Sequence, residues 1–320
     1  MISRRMVAAL LGAGLLAVAP AWAAYPDKPI RLVVPFSPGG GTDSIARTLG
    51  TLLTKSLGQT VLVDNRPGAS TMIGSDYVAK ATPDGYTLLV ATLAHAVNPS
   101  MQRNLPFDTE KAFTPVSLIG NSYNVLVVRA DSKLVSVADV IAAATASPGK
   151  LSYASQGSGT SAHLAGELFD NLAHVQLLHI PYRGAGPALI DVLGGRVDMM
   201  FATNAASAPF IADRRLRALG TTAPEGKSPL PGVPSIAATV PGYSVDSWYA
   251  VYAPAGTPTP IVEKVAAAIA DATKSPEMIE RARLEGITLR PEGPAALRDF
   301  MAGEFTRWRK LVTENKITAD

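Results

Sequence analysis

A strand, a glycine-rich turn and a helix occur twice in this chain, as RLVVPFSPGGGTDSIARTL (residues 31–49) and as KLSYASQGSGTSAHLAGEL (residues 150–168). Each copy is a β-α unit whose strand must lie in a sheet covered by helices, so the pair commits the chain to an α/β fold with two such centres. Elsewhere, short apolar runs bounded by Gly or Pro alternate with segments of helical period. They predict strands at 30–34, 61–63, 87–91, 124–128, 151–154, 176–180, 199–202 and 216–220, on a largely parallel sheet. Helices fall between them. The clearest are 42–57, with Ile45, Leu49, Leu52 and Leu53 on one face, and 161–172, with Leu164, Leu168 and Leu172 on one face. Two later helices are expected at 258–275 and 294–315, the second carrying Leu297, Phe300, Phe305, Trp308 and Leu311.

Each copy ends its strand in a turn suited to anions. Backbone N–H groups at a helix start are unpaired and carry the positive end of the macrodipole, and glycines let a ligand approach the backbone. Polar small residues crowd the expected strand ends. Ser37, Thr42 and Asp43 follow the first strand, Ser70 and Thr71 the second, Thr92 and His95 the third. In the second half Ser155, Ser158, Thr160, Ser161, Arg183, Thr203 and Asn204 take equivalent places. In open α/β sheets ligands bind outside the carboxyl ends of the strands, where hydroxyls donate hydrogen bonds without adding charge. Helix capping is the plainer reading of any one of these residues, Asp43 above all.

Several function classes are excluded. With 47% hydrophobic and 17% charged residues among 320, the chain is globular and not disordered. The formal charge of +3 falls towards neutrality once Arg4 and Arg5 are discounted, and no basic run interleaves with aromatics, so nucleic acid and anionic membranes are not expected partners. Arg4 and Arg5, the apolar run 6–19 and Ala21-Trp22-Ala23 make residues 1–23 a signal peptide, and an exported mature chain follows. Without Cys there are no disulfides, thiolate metal sites or Cys nucleophiles. His95, His163, His174 and His179 show no metal-ligand spacing, no G-x-S-x-G elbow exists, and no cofactor is expected. The segment Gly157-Ser158-Gly159-Thr160-Ser161-Ala162 fits the dinucleotide pattern G-x-G-x-x-A, but the next expected strand ends in Pro181-Tyr182-Arg183 without a ribose-binding acid. Arg183 could face a 2′-phosphate; export argues against it. Nothing suggests a second subunit, so a monomer is expected.

PFSPGGGTD (35–43), NRPGAS (65–70), PDGYTLL (83–89), YASQGSGTSAHLAGE (153–167), PYRGAGPA (181–188) and APAGTP (253–258) follow in this order over nearly the whole mature chain. In these the sequence resembles the tripartite tricarboxylate transporter receptors of the Bug (TctC-like) family. The resemblance implies a periplasmic binding protein of type II-like fold, with mixed β-sheets flanked by helices and a ligand cleft between two lobes. It implies capture of a small carboxylate and delivery to a membrane permease, without catalysis. The lobes would comprise residues 24–123 plus 247–320, and 124–246, with hinges near Tyr123 and Ser247. Phe36, Ser37, Gly40 and Thr42 match the family's carboxylate-holding loop, and Ser158, Gly159, Thr160 and Ser161 match its counterpart in the second lobe. Where the family often reads Met-Phe-Asp-Asn, this chain has Met200-Phe201-Ala202-Thr203. Loss of that acid argues for a dicarboxylate or aromatic carboxylate without an amine. A receptor feeding a sensor pathway, and an exported enzyme using Asp43, His95 or His163, stay open as alternatives.

Overall fold

The computed structural model describes residues 25–102, 104–315 and 317–318; the signal peptide expected at 1–23 lies outside the described residues. In chain order the elements are β1 (Ile30–Val34), α1 (Gly41–Leu57), β2 (Val61–Asn65), α2 (Met72–Ala79), β3 (Thr87–Thr92), α3 (Ala94–Met101) and β4 (Phe113–Arg129). Next come α4 (Val137–Ala146), β5 (Ser152–Ser155), α5 (Ser161–Ala173), β6 (Leu178–Pro181), α6 (Ala185–Leu193), β7 (Met199–Thr203), α7 (Asn204–Ala212) and β8 (Leu216–Thr221). The chain closes with β9 (Asp246–Pro254), α8 (Thr259–Ala272), α9 (Pro276–Glu285), β10 (Ile287–Glu292) and α10 (Pro294–Glu314).

Two parallel β-α centres form two lobes. In one, β1 pairs in parallel with β2 and β3; in the other, β5 pairs in parallel with β6 and β7. Antiparallel strands complete the sheets, which are therefore mixed where the strand pattern predicted a largely parallel arrangement. β4 joins them. Its first part, through Tyr123, pairs with β9, and from Asn124 onward it pairs with β7 and β8. The first half of β4, together with β9 and β10, escaped the strand signals. β9 is a continuous apolar run, DSWYAVYAP, whose periodicity alone does not separate a buried strand from a buried helix.

The helices form where local chemistry directs them. α1 buries Ile45, Leu49 and Leu53, leaves Leu52 half-buried, and stops at Gly58, whose φ of 70° continues into the left-handed region. α5 buries Leu164 and Leu168, and its Gly166 is obligatory because a Cβ there would meet the Tyr153 ring at 2.3 Å. The single helix expected at 258–275 breaks after Ala272. Ser275 accepts the N–H of Met278 and Pro276 opens α9, since the residue before a proline leaves helical geometry. One apolar cluster runs through both lobes and includes Val33, Tyr153, Phe201, Trp248 and Trp308; two more cover the outer sheet faces.

Candidate functional site

Both glycine turns open onto one cleft between the lobes, drawn nearly shut around a cavity of about 30 Å³. Phe36, Gly40, Gly41, Thr42, Thr92, Ser247 and Tyr249 form one wall; Gln156, Thr160, Ser161, Ala185 and Thr203 form the other. None of these side chains is charged. Four helices begin here, α1 at Gly41, α5 at Ser161, α6 at Ala185 and α7 just after Thr203, and none has a side-chain hydrogen bond capping its start. Among the described α-helices only α4 and α9 have such a cap, from Ser136 and Ser275, so what sets these four apart is that their starts converge on one cleft. Four uncapped starts give a neutral-walled cleft a positive field. Thr203 Oγ1 is buried on the cleft wall without a hydrogen-bond partner, a hydroxyl ready for a ligand oxygen.

Of the residues singled out from sequence, Phe36, Gly40, Thr42, Thr92, Thr160, Ser161 and Thr203 line this cleft. Others stand around it with protein partners. Ser37 donates from both N and Oγ to the Arg183 carbonyl (3.2 and 2.8 Å), and Asn204 Nδ2 donates to the Leu284 carbonyl (3.3 Å), so each latches one lobe onto the other. Asp43 accepts from Gly39 N–H, Arg47 and Asn65. Burial opposes its charge, but these donors outweigh burial and hold its carboxyl below the usual range. Ser70 and Thr71 have φ of 53° and 75°, and Asn98 Nδ2 donates to the Ser70 carbonyl and to Thr71 Oγ1.

The second turn is built similarly. Ser155 Oγ accepts Gly157 N–H and meets His179 Nε2 at 2.7 Å, while Gly159 N–H donates to His163 Nδ1. Burial, then nearby His179, pushes His163 down to about 3, so it is neutral and orients the turn that carries buried Ser158. Ser161 exchanges hydrogen bonds with Asn124. Ala202 is fully buried in an apolar cluster behind β7, and only its neighbour Thr203 reaches the cleft. His95 lies elsewhere, edge-on to the Phe113 ring and tilted against that of Tyr252.

Sequence reasoning missed Gly41, Gln156, Ala185, Ser247 and Tyr249 as cleft residues. Gly41 belongs to the glycine run and Ala185 to the PYRGAGPA segment, so both carried a signal. Tyr249 and Ser247 carried none, because β9 brings them in from far along the chain.

The profile of the tripartite tricarboxylate transporter family receptors matches residues 45–317. The chain belongs to this family. It is 42% identical over 299 residues to a UPF0065 protein of Pseudomonas sp. strain P51, covering 93% of this chain and 89% of that one. The structure of the periplasmic binding protein BugD superposes with a TM-score of 0.88 at 30% identity, covering 92% and 99% of the two chains. An R. palustris protein with adipate gives 0.87 at 35% identity, covering 92% and 99%. MatC from Rhodopseudomonas palustris with bound malate gives 0.85 at 31%, covering 90% and 100%. As a tripartite tricarboxylate transporter receptor the chain is a periplasmic, non-catalytic solute-binding protein.

Behind the cleft wall of this receptor, burial raises the Tyr249 hydroxyl, and the nearby Glu285 carboxyl raises it further. Glu285 is 4% exposed, and burial pushes it up to about 7 despite Ser44 and Arg281. An acid whose folded pKa lies above its unfolded value takes up a proton on folding, so stability falls as pH rises from about 4.5 to about 7. Glu285→Gln is expected to match wild type near pH 4 and to exceed it by roughly 3 kcal/mol above pH 8. Asp170, also raised to about 7 by burial, has the same sign. The difference between wild type and E285Q in urea titrations at several pH values therefore isolates Glu285; parallel curves would remove it.

Proposed function

We propose that this receptor captures a small dicarboxylate or aromatic carboxylate without an amine, between lobes divided at 123/124 and 246/247, and hands it to a membrane permease of the tripartite tricarboxylate type. The observation that carries this reading is the convergence of four uncapped helix starts on a cleft walled only by neutral groups. A carboxylate is then held by backbone N–H groups and hydroxyls, whose hydrogen bonds to a charged acceptor are stronger than neutral ones. An ammonium group would find no counter-charge, because Asp43 is already engaged by Arg47. The relatives with adipate and malate favour a dicarboxylate. The Ser37 and Asn204 latches describe closure: ligand gripped from both walls stabilises the closed state over the open one.

The test is a thermal-shift screen on refolded mature protein with adipate, malate, benzoate, amino acids and neutral sugars. Carboxylates lacking an amine should raise Tm. Shifts with amino acids alone, or with no anion, would reject the reading. Thr203→Val removes a hydroxyl that has no protein partner, so it should leave the free protein's Tm unchanged and weaken binding of the best anion by about 1–3 kcal/mol. Unaltered affinity by calorimetry would take Thr203 out of the site.

A further inference from the structure

The seam along which the lobes meet covers a carboxyl group. On the first lobe's side lie Gly41, at the start of α1, and Gly286, just after α9; on the second lobe's side lie Thr203, Asn204 and Ala205. A Cβ at Gly41 would reach Ala205 Cβ at 2.9 Å, and one at Gly286 would reach Asn204 Nδ2 at 3.0 Å, so α7 rests directly on both. Asn204 Nδ2 also donates to the Leu284 carbonyl at 3.3 Å. Glu285, flanked in the chain by these two contacts, is 4% exposed, and its Oε2 is buried without a hydrogen-bond partner. A gap of about 530 Å³, lined by Ala205, Ala208 and Pro209 of α7 and by Ser44 and Arg47 of α1, brings solvent up to this seam. Around Glu285, α1 presents Asp43 and Arg47, paired with each other; α9 presents Arg281, 3.8 Å from Oε1; and β9 presents Tyr249. Arg290 and Glu292 of β10 pair together, and α7 carries no titratable side chain. A buried carboxyl with one oxygen unmatched favours its protonated form, and burial pushes this one up to about 7.

We propose that closing of the lobes takes up one proton on Glu285, so that carboxylate affinity rises as the surrounding pH falls; this regulates the cleft described above and rests on that reading for its ligand. Opening lifts Asn204 and Ala205 away and admits water to the carboxyl, which then ionises in the ordinary range. The closed form holds the proton where the open form has lost it, so between the two pKa values each fall in pH favours closure. Asp170, also raised by burial, accepts the Leu177 N–H wholly within the second lobe, which moves as a body.

Calorimetric titration of adipate at pH 6.5, 7.5 and 8.5, where its own carboxylates stay ionised, reads this linkage. Wild type should bind about fourfold more tightly at pH 6.5 than at pH 8.5. In phosphate and Tris buffers at pH 7 it should take up about half a proton per adipate bound. Glu285→Gln, fixed in the uncharged form, should take up none, show no slope and bind at least about tenfold more tightly than wild type at pH 8.5. A flat wild type, a slope retained in E285Q, or E285Q binding no more tightly than wild type at pH 8.5 would overturn the proposal. Should adipate and malate fail to bind at every pH, the carboxylate reading falls, and small-angle scattering of the ligand-free protein decides on closure. A radius of gyration that grows from pH 6.5 to 8.5 in wild type but not in E285Q, with Gly41→Val large throughout, would keep the proposal; one that ignores pH would overturn it.

Discussion

Gly41→Val is expected to abolish measurable closure on a carboxylate and to leave the free protein folded. A Cβ at this position would lie 2.9 Å from Ala205 Cβ, 3.3 Å from Thr203 Oγ1 and 3.2 Å from Tyr249 Oη. Ala205 and Thr203 belong to the opposite wall from Gly41, so any side chain here is a wedge between lobes. Gly41 has no left-handed φ that would strain valine, and in the first turn of α1 lobe opening would relieve the contacts with Ala205 and Thr203, leaving only Tyr249 Oη on its own wall to give way. The cost therefore falls on the closed state. Affinity for adipate should drop about 100-fold or more, with Gly41→Ala intermediate, and Tm without ligand should stay within a few degrees of wild type. Calorimetry decides it: wild-type affinity in G41V would mean that ligand is bound without the 41–205 approach.

Glu304→Ala should cause the largest loss of stability of any single change considered. Glu304 is 6% exposed, and its Oε2 accepts the indole N–H of Trp248 at 2.8 Å and of Trp308 at 3.0 Å. Arg307 reaches its other oxygen at 3.5 Å and Asp246 at 2.7 Å. Burial, then Asp246, raises the Glu304 carboxyl, against the Trp and Arg donors. Removing it strands two buried N–H groups and opens a cavity where α10 is tied to the crossover strand β9, a loss of about 3–5 kcal/mol. Tm should fall by about 10 °C. Glu304→Gln keeps an acceptor and should lose less than half as much; equal losses in both variants would show that charge, not hydrogen bonding to the indoles, carries the effect.

Much of this molecule was legible in local pattern. The bounds of β1 follow from its apolar run, and α1 and α5 from apolar residues at helical spacing after a glycine turn. The turns could be read as anion-ready because glycine content and an ensuing helix are local facts. Less could be read where one residue type supports two roles. Asp43 is equally at home as a cap or as a ligand contact; only the arrival of Asn65 from β2, with Arg47 one turn on, shows its charge already engaged. His95, at a strand end like Thr92, faces a different cavity because α3 turns it towards Phe113 and Tyr252.

The residue pattern alone established an α/β chain with two glycine-turn centres and no cysteine chemistry, since composition and periodicities of two and 3.6 are properties of short segments. Tertiary structure decided where those centres meet. β4 and β9 pair across a long separation in sequence, with Tyr123 opposite Asp246, and this register brings Ser247 and Tyr249 into the cleft. Pairing of distant strands depends on which apolar faces can be buried together, a property of the whole chain that no local window contains.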